Sequence, residues 1–186
     1  KDADYARLAL KRGIADVLAD NLQEAVLHAN LVILAVPVKE IIALLPEVLE
    51  LSGEDRVVID MGSTKQGIVS CVSEHRYRSS FVATHPMAGT EFSGPSAAIY
   101  NLFDGKVAIV CDKNNSHPDA ISIVESLYRT LKMPVVYMDA EEHDLHAAYV
   151  SHISHITSFA LANTVLMKEK SVSNIFHLAS GRFAST

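Results

Sequence analysis

Cysteine is scarce in this chain. Cys71 and Cys111 are the only two among 186 residues, and their spacing is not that of metal ligands. That excludes a disulfide framework and fits a reducing cytoplasm. Long apolar stretches are also missing. The longest, Leu31 to Val38, falls far short of the ~20 residues a membrane-spanning helix needs, and no signal-peptide pattern opens the chain. Low-complexity and disorder-like segments are absent. Cations are outnumbered, with 16 Lys and Arg against 22 Asp and Glu, a net charge of −6. Their scatter argues against a nucleic-acid partner. The expectation is a soluble cytoplasmic protein, 49% hydrophobic, with enough apolar mass for one good core and part of a second unit.

What is present has a clear rhythm. Residues 3–12 read as a helix stopped by Gly13, and Asp20-Asn21 start a short helix through about Leu27. Leu31 to Val36 is a continuous run of mostly branched residues, the pattern of a parallel strand buried on both faces. Pro37 ends it. Lys39 to Leu51 carries Ile41, Ile42, Leu45, Val48 and Leu49 on one helical face, and Pro46 is expected to kink or divide that helix. Strands follow at Arg56–Asp60, Ser80–Thr84, Lys106–Cys111 and Pro134–Met138, with helices at Lys65–Glu74 and His117–Leu131. Pro118 stands in the first turn of the latter, where proline is favoured. Strands alternating with helices mean a doubly wound parallel sheet. From Asp139 to about Lys168 no glycine or proline interrupts a long helical pattern, and a second helix is expected over Ser173–Leu178.

A dinucleotide fold ordinarily opens with a strand, a Gly-rich turn and a helix whose N-terminus holds the phosphates. The eight glycines of this chain form no G-x-G-x-x-G. The chain either binds no dinucleotide or begins just after that unit. Its start at Lys1, without Met and already helical, favours the second expectation.

Three strand ends carry the residues with chemical potential. The run Phe81 to Thr84 is followed by His85-Pro86-Met87-Ala88-Gly89-Thr90-Glu91, which reads as a Gly/Pro-shaped loop bearing a histidine and a glutamate. Ligands of open α/β sheets bind at such strand ends, and imidazole titrates near neutrality. A lone His-Pro turn is nonetheless more often a strand terminator. The second end, Asp60-Met61-Gly62-Ser63-Thr64-Lys65, offers backbone N–H groups and a hydroxyl. A serine there commonly does no more than cap a helix, and Lys65 reads as a solvated helix residue. Val36-Pro37 is the third. The later helix carries His143, His146, His152 and His155. At about 100° per residue the first two share a face and the last two lie about 120–180° away, so four ligands to one metal ion are not expected.

Together, Val36-Pro37, Asp60-x-Gly62-Ser63-x-Lys65, the His85-to-Gly94 stretch, Leu102-Phe103-x-Gly105, His143-Asp144, and Val150-Ser151-His152-x-x-His155 occur in a telling order and spacing. From about residue 14 onward the chain resembles the prephenate dehydrogenases of tyrosine biosynthesis, including the related arogenate dehydrogenases. The His-Pro-Met-Ala-Gly-x-Glu stretch and the Ser-His-x-x-His helix are the specific part of the match.

The resemblance implies a Rossmann-like, mostly parallel sheet lacking its first βα unit over residues 1–138, and the start of an all-helical substrate and dimerisation domain over 139–186. It implies NAD(P)-dependent oxidative decarboxylation of prephenate to 4-hydroxyphenylpyruvate, or of arogenate to tyrosine, by a homodimer without membrane or nucleic-acid partners. His85 would accept the proton of the C4 hydroxyl and Ser63 would orient it. Thr90, Glu91, Ser151 and His155 would meet the substrate. Val36, Pro37, Gly62 and Ser63 would lie along NAD or NADP. By the family pattern, the ribose-reading acid would fall before Lys1 and the substrate-carboxylate arginine beyond Thr186, so the chain alone is expected to bind cofactor poorly. A non-catalytic nucleotide-sensing module and another two-domain dehydrogenase are the alternatives. The set Ser63, His85, Glu91 and His155 speaks against the module and the missing Gly-rich loop speaks for it, whereas the His85 loop combined with the Ser-His-x-x-His helix speaks against another dehydrogenase.

Overall fold

Apolar runs of four to six residues become strands and the amphipathic segments between them become helices. The computed structural model describes residues 3–90, 92–153, 156–160 and 163–164, with only the backbone of Ser151 and His152. Glu91, His155 and the helix expected at Ser173–Leu178 lie outside the described residues.

The order is α1 (Ala3–Lys11), α2 (Leu22–Leu27), β1 (Leu31–Leu34), α3 (Val38–Ser52), β2 (Val57–Asp60), α4 (Gln66–Ser70), β3 (Phe81–Pro86), β4 (Ala108–Cys111), α5 (Pro118–Thr130), β5 (Val135–Met138) and α6 (Ala140–Ala148). The chain divides into two compact units at His143–Asp144, inside α6.

The five strands lie in sequence order in one sheet. β1, β2 and β3 are parallel, as are β4 and β5. β4 runs antiparallel to β3, with His85 opposite Ile109 and Pro86 opposite Ala108. The sheet is therefore mixed rather than wholly parallel. Among the described residues between β3 and β4 there is no crossover helix, only a loop with a short 3-10 turn at Pro95–Ala97. A parallel return requires such a crossover, whereas an antiparallel one does not.

Strand pleating sends alternate side chains to opposite faces. Val58, Phe81, Ala83, Ile109 and Cys111 pack with α2, α3, α4 and Ala140 of α6. Val57, Ile59, Val82, Ala108 and Val110 pack with α5 through Ala120, Val124 and Tyr128. β1 departs from expectation. It is the sheet's edge strand here, and Ile33 is 45% exposed rather than buried on both faces.

Pro46 does not divide α3, which is continuous from Val38 to Ser52. The helix fully buries Ile41, Leu45, Val48 and Leu49 on both sides of the proline. At about 1.5–3 kcal/mol per buried aliphatic side chain, that burial outweighs the ~3 kcal/mol cost of an interior proline. Among the described residues no helix is long and apolar enough to cross a membrane.

Candidate active site

Because β1, β2 and β3 are parallel, their C-terminal ends line one edge of the sheet. Val36 and Pro37 follow β1 and are exposed; Gly62 and Ser63 follow β2, Gly62 buried and Ser63 exposed. His85 occupies the penultimate position of β3 and is partly exposed. It stands in the strand rather than on a loop beyond it. Pairing with β4 carries the ladder through Pro86, and the Met87 N–H continues it by donating to the Val107 carbonyl at 2.8 Å.

A buried ion pair fixes this edge. Lys65, expected in solvent, is fully buried and pairs with the equally buried Asp60. Lys65 Nζ also donates to the Thr84 carbonyl at 2.7 Å. The Asp60 carboxylate accepts the N–H of Gly62 at 2.9 Å and of Thr84 at 3.0 Å. Burial pushes the Asp60 carboxyl up, and the Lys65 cation with the two backbone N–H groups pulls against that. The pair thus ties the turn bearing Ser63 to the residue before His85. Gly62 is closely confined: a Cβ there would stand 2.7 Å from Ile68 Cδ1 and 2.9 Å from Asp60 Oδ2, so a side chain must shift to admit it. On the opposite face, the Tyr128 hydroxyl donates to Thr84 Oγ1 at 2.8 Å.

His85 Nδ1 lies 2.9 Å from Nε2 of His143, with the two rings edge-on at 69°. His143 is 1% exposed in the first turn of α6. Its N–H donates to the Asp139 carbonyl, and Asp112 Oδ1 accepts the N–H of Ala140, which anchors that turn. The strand alternation directs His85 to the same face as Ala140, and this is how the two rings meet. Sequence reasoning did not assign His143 to the site. Its signal was the invitation to compare helix positions with strand faces: His146, placed on its helical face by sequence, is exposed whereas His143 is buried.

Thr90 lines a cleft of about 570 Å³ with Phe92, Ser93, Ser96, Ala97 and Ile99. Ser151 falls in a π-helical turn, Tyr149–Ile153. That turn breaks the regular 100° progression on which the placement of His152 and His155 rested. Among the described residues no group of three or more His, Cys, Asp or Glu is arranged to hold a metal ion.

Comparison with known proteins gives this geometry its context. Residues 1–137 match the family description "Prephenate dehydrogenase, nucleotide-binding domain", and residues 139–186 match "Prephenate dehydrogenase, dimerization domain". A prephenate dehydrogenase of Bacillus subtilis is 32% identical over 97% of this chain and 49% of its own length. The chain thus spans about half of that relative. The crystal structure of prephenate dehydrogenase from Aquifex aeolicus superposes with a TM-score of 0.82 at 27% identity, covering 100% of this chain and 67% of that one. The same enzyme in complex with hydroxyphenyl propionate and NAD+ gives a TM-score of 0.74 at 27% identity, covering 91% of this chain and 59% of that one. The chain belongs to the prephenate dehydrogenase family.

Proposed function

We propose that the full-length protein oxidatively decarboxylates prephenate to 4-hydroxyphenylpyruvate with NAD or NADP, and that His85 is its general base. The observation that carries this reading is the placement of His85. It stands at the strand-end edge of a nucleotide-binding sheet, with its Nδ1 engaged by a buried imidazole. With Nδ1 so engaged, the nitrogen assigned to the substrate is Nε2.

The edge suits a nicotinamide cofactor. Val36 and Pro37 offer exposed apolar surface and Ser63 an exposed hydroxyl at neighbouring strand ends, the mixture such sites use. When bound, the nicotinamide supplies the acceptor for the hydride leaving C4 of the substrate. His85 Nε2 takes the proton of the C4 hydroxyl as that oxygen becomes a carbonyl; loss of carbon dioxide then sends its bonding pair through the ring to that oxygen, which regains a proton as the phenol of the aromatic product. Aromatisation supplies the driving force, so the protein's work is to orient substrate and manage one proton. Ser63 lies close to the nicotinamide at the same sheet edge, Thr90 and Glu91 border the substrate, and Ser151 and His155 of residues 139–186 bind it. Gly62 holds its turn close to the sheet, beside the cofactor path of Val36, Pro37 and Ser63.

The Aquifex relative's complex with hydroxyphenyl propionate and NAD+ supports a site for a hydroxyphenyl acid and a dinucleotide together. The match of residues 139–186 to a dimerization domain supports a homodimer. The test follows reduced-nicotinamide absorbance for the protein as its gene encodes it, with prephenate or arogenate and with NAD or NADP. Turnover that depends on prephenate and is lost in His85→Asn is expected. A preference for arogenate would transfer the assignment to that substrate, and unchanged turnover in His85→Asn would remove His85 from the mechanism.

A further inference from the structure

The buried imidazole behind His85 has a task of its own. We infer that His143 is a positioning residue: its Nε2 accepts a hydrogen bond from the His85 Nδ1–H and so keeps His85 in the tautomer whose Nε2 can take a proton. This rests on His85 acting as the base.

His85 Nδ1 and His143 Nε2 meet in a single contact. Two ring nitrogens 2.9 Å apart share one hydrogen, so two arrangements exist. If His143 donates, His85 Nδ1 is the acceptor and a neutral His85 carries its hydrogen on Nε2. That nitrogen then cannot receive a proton. Protonating the ring in this state would set one N–H against another across the same 2.9 Å. If His85 donates, Nε2 keeps its lone pair toward the substrate. After proton transfer the Nδ1–H still points at an acceptor, and the hydrogen bond becomes charge-assisted and stronger. Only the second arrangement is better satisfied after the proton moves than before, which is the condition for aiding the chemical step.

The support for that arrangement is rigid. His143 is 1% exposed and fixed in the first turn of α6, whose Ala140 N–H is held by Asp112 Oδ1 at 3.1 Å. The His85 side is equally constrained, since Asp60 and Lys65 bind both the N–H and the carbonyl of Thr84, the preceding residue. Two independently anchored elements therefore meet at one hydrogen bond. Such an orienter selects a tautomer much as the third member of a Ser-His-Asp triad does.

The test uses the full-length protein, with 15N-labelled histidine to read the His85 tautomer by NMR and His85→Asn to assign its signals. His85 is expected to carry its hydrogen on Nδ1. His143→Leu, which removes the acceptor, is expected to lower kcat by about 10- to 100-fold with KM changed by no more than about twofold, since the interaction gains strength after the substrate binds. His143→Gln can place Oε1 near the Nε2 position and accept the same hydrogen. It should retain most of the kcat and the Nδ1–H tautomer, a rescue that mere filling of space would not give. A wild-type His85 found as the Nε2–H tautomer overturns the inference, as does a Leu variant with wild-type kcat, and either leaves His85 as base if the Asn variant is dead. An Nδ1–H tautomer without turnover on prephenate or arogenate instead overturns the functional reading and leaves standing only the direction of the hydrogen bond between the two rings. Should the Leu variant not fold, the wild-type spectrum and the Gln variant decide.

Discussion

Replacing Lys65 with Met should cost more stability than any other single cation in the described sheet edge. The perturbation removes the positive half of a pair in which both side chains are fully buried. Asp60 would keep its two backbone donors, Gly62 and Thr84, but lose its counter-charge. The Thr84 carbonyl would also lose the Lys65 Nζ donor at 2.7 Å. Breaking a buried pair by removing one partner costs about 3–5 kcal/mol, roughly a fifth or more of the stability of an ordinary domain. Methionine matches the lysine stem in shape, so little of that cost would come from a cavity. Urea unfolding of the full-length protein would supply the midpoint and slope, with amide exchange at Gly62 and Thr84 as the local reading. The exposed pair Arg7–Asp4 provides a control, since Arg7→Ala should leave the midpoint unmoved. A cycle with Asp60→Asn tests the cause: the double variant should be less destabilised than the two single losses summed. A Lys65→Met variant destabilised by less than about 1 kcal/mol, the range of surface substitutions, would refute the reasoning.

Two further expectations follow from packing and burial. Gly62→Ala would force a Cβ to 2.7 Å from Ile68 Cδ1 and 2.9 Å from Asp60 Oδ2, and should lower stability by about 1–3 kcal/mol in the same urea assay; an unchanged midpoint would show that the turn has room. Tyr128, 1% exposed, has its phenol pushed up to about 12 from 10 by burial. The unfolded chain therefore loses this proton first as pH rises, and stability should fall between pH 10 and about 12 by roughly 2–3 kcal/mol. Tyr128→Phe should flatten that alkaline limb in pH-dependent melting, and a limb of unchanged slope would assign it elsewhere.

Much of the scaffold could be read from local pattern because local physics governs it. Asn21 does cap α2, its side chain accepting the Glu24 N–H, and Pro118 does open α5; both depend on a few adjacent residues. The convergence of Val36-Pro37, Gly62-Ser63 and His85 on one edge followed from strand order and parallel direction alone. Other features rested on partners distant in the chain. Pro46 breaks a helix in isolation, yet the apolar stripe on either side of it holds α3 together. The direction of β4 and the extension of β3 through Pro86 depended on pairing across the intervening loop.

Hydrophobic periodicity, turn residues and caps were sufficient for an α/β sheet with a chemically equipped edge, since each acts within a few residues of itself. Sequence also placed Asp60 five positions from Lys65 without revealing that both are sealed from water, because burial is set by what packs above them. His85 and His143 stand 58 positions apart. Their meeting required the pleat to direct one and the first turn of α6 to present the other. Folding alone brings those two rings to hydrogen-bonding distance, because no rule of local spacing links a strand end to the face of a later helix.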